Sequence, residues 1–199
     1  MYYDFTGQVW EKKILVGAWE KASLLFFLHD AQMKICVRLI GEWAEVAISC
    51  IIVSAHSSIA SGTLEVLMEA SHTKADVYMV SLLGDHARAT VHWWITIQPG
   101  ISKAEGSLLE ENVLLGEKIV VDVKPLLDVK SNDVVASHGA TIQRLDPQKL
   151  FYLNAKGLSG AAATTLMVQA YVQRAYDHVE EDSSWQIENV CELLWINQR

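Results

Sequence analysis

From the start of the chain to about Asp146, short apolar runs rich in Val and Ile alternate with turn signals; beyond it the spacing becomes helical. Strand candidates before that point are residues 14–16, 23–27, 35–39, 46–53, 64–68, 77–82, 90–97, 113–115 and 119–123. Several alternate with a period of two, which sends successive side chains to opposite faces of an extended chain. In the run 90–97, Val91, Trp93, Ile95 and Ile97 share one face, and Ile119, Val121 and Val123 do the same further on. The run from Val46 to Ala55 is apolar almost throughout and reads as a buried strand.

Glycines punctuate this region. Gly62, Gly84, Gly106 and Gly139 recur at intervals of roughly 22 to 33 residues, with Gly100 and Gly116 at intermediate turns. Gly41-Glu42-Trp43-Ala44 and Gly84-Asp85-His86-Ala87 each precede an apolar run, so the units resemble one another. Many short strands with turns at near-regular spacing suit a sandwich, a barrel or a β-solenoid. The solenoid gains weight from the repeat, because a unit that cannot bury its own apolar face does so by stacking on its neighbour.

The last quarter predicts helices. Asp146 caps the first, Pro147 takes its first position, and Gly157 ends it in a left-handed conformation. Ser159 caps a second, Ala-rich helix carrying Leu166, Val168, Ala170, Tyr171 and Val172. Residues 177–184 read as a polar connector, with Ser183 and Gln186 as a capping box. Trp185, Val190, Leu193 and Leu194 then share one side of a terminal helix, which packs on the chain's own core or on a partner. The expected division is a β core over 1–146 and a helical segment over 147–199.

Composition narrows the function. With 199 residues and a hydrophobic fraction of 51%, one sizeable core is expected. The longest apolar run is about half of the ~20 residues a membrane span needs. Met1-Tyr2-Tyr3-Asp4 does not open a signal peptide, so an intracellular setting is the default expectation. A net charge of −8 without a Lys/Arg cluster disfavours nucleic acid. Cys36, Cys50 and Cys191 are too widely spaced for a metal motif and read as small buried hydrophobes. Phosphate loops, the GxSxG elbow and HExxH are all absent, and the seven histidines are scattered, so each reads as a turn or surface residue. Glu110-Glu111 reads as a solvated carboxylate pair in a turn, whose adjacent side chains point apart. Acidic residues do not repeat in register between units, which weighs against a polysaccharide-cleaving solenoid, and no enzyme is expected.

The stretch from Asp122 to Gly157 reads DVKPLLDVKSNDVVASHGATIQRLDPQKLFYLNAKG. It resembles the C-terminal signature of the SufB/SufD family through Pro125, Leu127, Val129, Asp133, Val134, the Ser137-His138-Gly139-Ala140-Thr141 run, Leu145, Asp146, the Leu150-Phe151-Tyr152-Leu153 run and Gly157-Leu158-Ser159. Weaker agreement reaches upstream through His72, Thr73 and Asp76, residues 87–97 and residues 108–116.

The resemblance implies a right-handed parallel β-helix with a C-terminal helical tail, in the cytoplasm. It implies a non-catalytic scaffold for a transient iron–sulfur cluster, with neither nucleic acid nor membrane as partner. A SufC-like ABC ATPase is expected on the tail, at Phe151, Tyr152, Leu153, Gly157 and Leu158. A second SufB/SufD-type chain is expected at Ser137, His138, Gly139, Ala140 and Thr141. The family's interface histidine falls on His138, a competent iron ligand when neutral. The position of the SufB-type cysteine, aligned on Gly116, falls on Glu110. Thiolate is the usual cluster ligand, and Gly139 stands where SufB has an acid. Both departures favour a SufD-like or undivided ancestral-like subunit, and they leave open an interaction module of the same family without cluster chemistry.

Overall fold

The computed structural model describes residues 1–180 and 186–194. Eleven strands come first: β1 (Tyr2–Asp4), β2 (Val9–Val16), β3 (Lys21–His29), β4 (Gln32–Leu39), β5 (Glu45–Ser54), β6 (Ile59–Met68), β7 (Lys74–Leu83), β8 (Arg88–Ile97), β9 (Ala104–Leu114), β10 (Val120–Val129) and β11 (Val134–Arg144). Three helices follow, α1 (Pro147–Ala155), α2 (Gly160–His178) and α3 (Gln186–Leu193).

Consecutive strands go to opposite sheets. Odd-numbered strands form one sheet in the order β1-β3-β5-β7-β9-β11, and even-numbered ones the other, β10-β8-β6-β4-β2. Every pairing is parallel. The chain therefore winds as a parallel β-solenoid and exits into helices. Register partners lie 24 residues apart at Lys21 and Glu45 and 32 apart at Thr90 and Asp122. The glycine intervals do not follow this register: Gly62 pairs with Met33 and Val91, and Gly106 with Ala75 and Ala136.

The glycines themselves sit differently from the expectation. Gly62, Gly106 and Gly139 lie inside strands, not at turns. The corners instead place Trp19, Trp43, His56, His72, His86, Lys103 and Lys118 at positive φ. Glycine is required where corners stack backbone on backbone: a Cβ on Gly41 would lie 2.2 Å from the Ala18 nitrogen.

Two apolar layers result. The inner one fills the solenoid with Phe26, Ile35, Ile48, Leu64, Val77 and Trp93 among others. The outer one lies between the odd-strand sheet and the helices, where Ile51, Val53, Val80 and Leu82 meet Val168, Val172, Tyr176 and Val190. Covered on both faces, β5 is buried from Ile48 to Ser54, whereas β6, with its outer face bare, alternates. The apolar stripe of α3 thus packs on the chain's own core through Val190, Cys191 and Leu194. Trp185 and the Ser183 half of the capping box lie outside the described residues. Asp146 and Ser159 cap α1 and α2 as their side chains predict, and Gly157 has φ +97°. No described helix is long and apolar enough to cross a membrane.

Candidate functional site

The two ends of the solenoid are unlike. At the N-terminal end Phe5 is buried among aromatic rings, 5.3 Å from Trp10 and 5.9 Å from Phe26 between centroids. Tyr3 stacks on Phe26, and the Lys12 ammonium lies 3.9 Å from the Tyr3 ring centroid. These rings cover the interior there, while β1 and β2 are likewise the last strands of their sheets and Val9 and Leu15 stay exposed. At the C-terminal end β10 and β11 are the last strands of their sheets. Val120, Leu126, Val129, Val135 and Ile142 stay exposed there. Pro125 fits such an edge, since a proline cannot donate to a further strand.

The candidate site residues converge on this open end. In β11 the pleat splits the Ser137–Thr141 run. His138 and Ala140 take the inward-facing positions, opposite Leu108 and Glu110 of β9, and Ser137, Gly139 and Thr141 take the outward ones. His138 is exposed because no further coil covers it. Glu110 sits on the neighbouring strand, two positions along on the same face. The structure thus brings His138 and Glu110 to one side of the last coil.

The expectation for Glu110-Glu111 is corrected in one respect. The two side chains do point apart, but from the middle of β9, not from a solvated turn. Glu110 is fully buried, and neither carboxylate oxygen has a hydrogen-bond partner. Burial pushes its pKa up to about 7. Glu111 faces outward and accepts hydrogen bonds from the Tyr78 hydroxyl at 2.6 Å and the Arg174 guanidinium at 2.8 Å. The local pattern explains the error: Leu108-Leu109-Glu110-Glu111-Asn112 has no apolar alternation, so a strand buried on both faces leaves no periodic trace there.

Two further polar side chains share the inward face, and motif reading missed both. Asn112 is fully buried; its Nδ2 donates to the Thr141 carbonyl at 3.1 Å, and its Oδ1 is unpartnered. Ser81, its register partner on β7, is also fully buried with an unpartnered Oγ. Across the interior, the Trp93 indole N–H is buried without a partner.

The cysteines stand apart from the site. Cys50 lies two strands away in the ladder Cys50–Met79–Glu110, and burial raises its pKa. Cys191 is buried in α3. Cys36 departs from expectation: it is half-buried on the bare outer face of the even-strand sheet, its thiol held up by burial and by Glu65. Among the described residues, no three His, Cys, Asp or Glu side chains are grouped to hold a metal ion. A cluster here would have to draw on His138, Glu110 and groups from a second chain.

In α1 no residue is buried. Phe151 is 74% exposed and Tyr152 60%, while Leu153 and Leu158 are half-covered and Gly157 is exposed. Phe151 and Tyr152 are thus two large aromatics left exposed on a short helix whose Leu150 and Leu153 are half-covered.

Comparison with known proteins gives one family match, "SUF system FeS cluster assembly, SufBD core domain", over residues 23–171. A curated relative is the "Iron-sulfur cluster assembly protein SufD" of Escherichia coli (strain K12), 28% identical over 102 residues. That alignment covers 51% of this chain and 24% of the relative, so the chain matches about a quarter of the relative's length.

Proposed function

The chain belongs to the SufBD core-domain family of the SUF iron–sulfur assembly system, and from that premise we propose that it is a non-catalytic scaffold subunit, which holds a transient cluster between two chains and takes its driving force from a SufC-like ABC ATPase. One observation carries the reading: where the chain leaves the solenoid for the helices, His138 lies exposed on the last strand of its sheet, with Glu110 on the same inward face of the neighbouring strand. Unpaired N–H and C=O groups flanked by exposed Val135 and Ile142 suit a second SufB/SufD-type chain. In that assembly His138 supplies an imidazole, and the partner supplies the ligands this chain lacks. The exposed Phe151 and Tyr152 of α1 are the proposed ATPase contact.

A second reading has specific support. Glu110 stands where the thiolate of a cluster-building chain is expected and is buried away from solvent. An interaction module that braces a cluster-bearing partner without ligating the cluster fits that substitution.

The test is anaerobic reconstitution with iron and sulfide, of the chain alone, with a SUF partner chain, and with the ATPase added. Visible absorption that weakens in His138→Ala supports the scaffold. Cluster formed equally well by His138→Ala leaves the bracing role. No cluster and no complex with any SUF component would sink both.

A further inference from the structure

Inside the last coils Ser81, Glu110 and Asn112 stand in a mostly apolar interior, with the unpartnered Trp93 indole N–H across it. Ser81 and Asn112 are register partners on β7 and β9, and Glu110 lies two residues before Asn112 on the same face. Each is fully buried. Four of their oxygens have no partner: both carboxylate oxygens of Glu110, Asn112 Oδ1 and Ser81 Oγ. Buried polar atoms are nearly always satisfied by protein, water or an ion, so orphans gathered on one face mark an unfilled place. Acceptors dominate the group, and the Asn112 amide nitrogen is already committed to the Thr141 carbonyl, which fixes the side chain. An occupant must therefore bring positive charge or several donor hydrogens.

We propose that Ser81, Glu110 and Asn112 form an interior oxygen-donor site for one hard divalent cation. A carboxylate, an amide oxygen and a hydroxyl are the donor types that magnesium, manganese(II) and ferrous iron accept, and waters complete their shells. Access comes from the open end. The next ladder position beyond Glu110 is Ala140, exposed and no larger than a methyl group, with His138 beside it at the rim. Naming ferrous iron as the cation in the cell rests on the scaffold reading; the site itself does not. In that case this chain holds iron on oxygen ligands before sulfide arrives, in place of a thiolate.

The test needs neither sulfide nor ATPase. Manganese(II) is titrated into the purified, chelator-stripped full chain, and free ion is counted by electron paramagnetic resonance. One ion is expected per chain, bound at least about tenfold more weakly by Glu110→Gln and measurably more weakly by Ser81→Ala. Ferrous ion, added anaerobically, should displace it. Glutamine is isosteric, and a thermal melt verifies that the variant folds. Absence of binding, or equal binding by parent and Glu110→Gln, overturns the proposal and leaves cluster assembly between two chains to its own test.

Discussion

Glu111 Oε2 lies 2.8 Å from Arg174 Nη1, tying the strand that carries Glu110 to the helix that follows α1. The same oxygen accepts from Tyr78, and the Arg174 guanidinium lies 4.8 Å from the Tyr78 ring centroid. Neighbouring residues of β9 thus serve opposite sides: Glu110 faces the interior, and Glu111 holds the helical tail to the outside.

Arg174→Met should therefore destabilise the chain modestly, because Glu111 is largely buried but keeps Tyr78 as a donor. A loss of about 1 kcal/mol in urea unfolding is expected, typical of a half-exposed, charge-assisted pair. A double-mutant cycle with Glu111→Gln should show coupling of similar size. Additive losses would mean that the pair is not formed in solution.

The corners of the coil make a sharper prediction. Gly41→Ala forces a Cβ to within 2.2 Å of the Ala18 backbone nitrogen, and no side chain can move aside to relieve it. Stacked corners must separate, at a cost of about 2–3 kcal/mol, which lowers Tm by roughly 5–10 °C. Gly160→Ala, at the start of α2, meets nothing within 4 Å and should be neutral or slightly stabilising. Similar melting of the two variants would contradict the stacking.

How far the sequence reveals this architecture depends on which faces are bare. Strands β6 and β8 alternate because solvent covers one face, and the alternation is visible in their residues. β11, at the open end, pairs with one neighbour only and carries polar residues on both faces, so periodicity misses it and the Ser137–Thr141 motif finds it. Corner glycines were legible, yet Gly62 and Gly106 look alike in sequence and serve as interior spacers: a Cβ on Gly106 would meet Ile95 at 3.3 Å. The Ser81–Glu110–Asn112 group has no local signal, since parallel register between residues 31 apart creates it.

The exposed aromatics of α1 separate binding from stability. Phe151→Ala with Tyr152→Ala removes two largely exposed side chains, so unfolding free energy should stay within about 0.5 kcal/mol of the parent. Under the proposed ATPase contact, affinity for the SufC-like partner should fall at least roughly thirtyfold, as for aromatic hot spots worth about 2 kcal/mol. Unchanged affinity, read by titration calorimetry, would move that contact elsewhere.

Glu110 gives the chain a pH signature of defined sign. Its pKa is raised from 4.5 to about 7 in the fold because burial disfavours the carboxylate. Below about 4.5 the group is protonated in folded and unfolded chains alike, and its burial cost does not change with pH. As pH rises from there to about 7, the unfolded chain releases the proton and the folded chain retains it, so stability falls. Above 7 both forms are ionised and the full penalty remains, on the order of 3 kcal/mol. Glu110→Gln stays neutral throughout. In chelator-containing buffer, its stability relative to the parent should therefore grow from near zero at acid pH to a plateau above pH 7, whatever other groups titrate in both proteins. A difference that is flat across that window in paired urea titrations would show that the Glu110 carboxylate finds solvent or a partner, and that the interior oxygen site is not empty of donors.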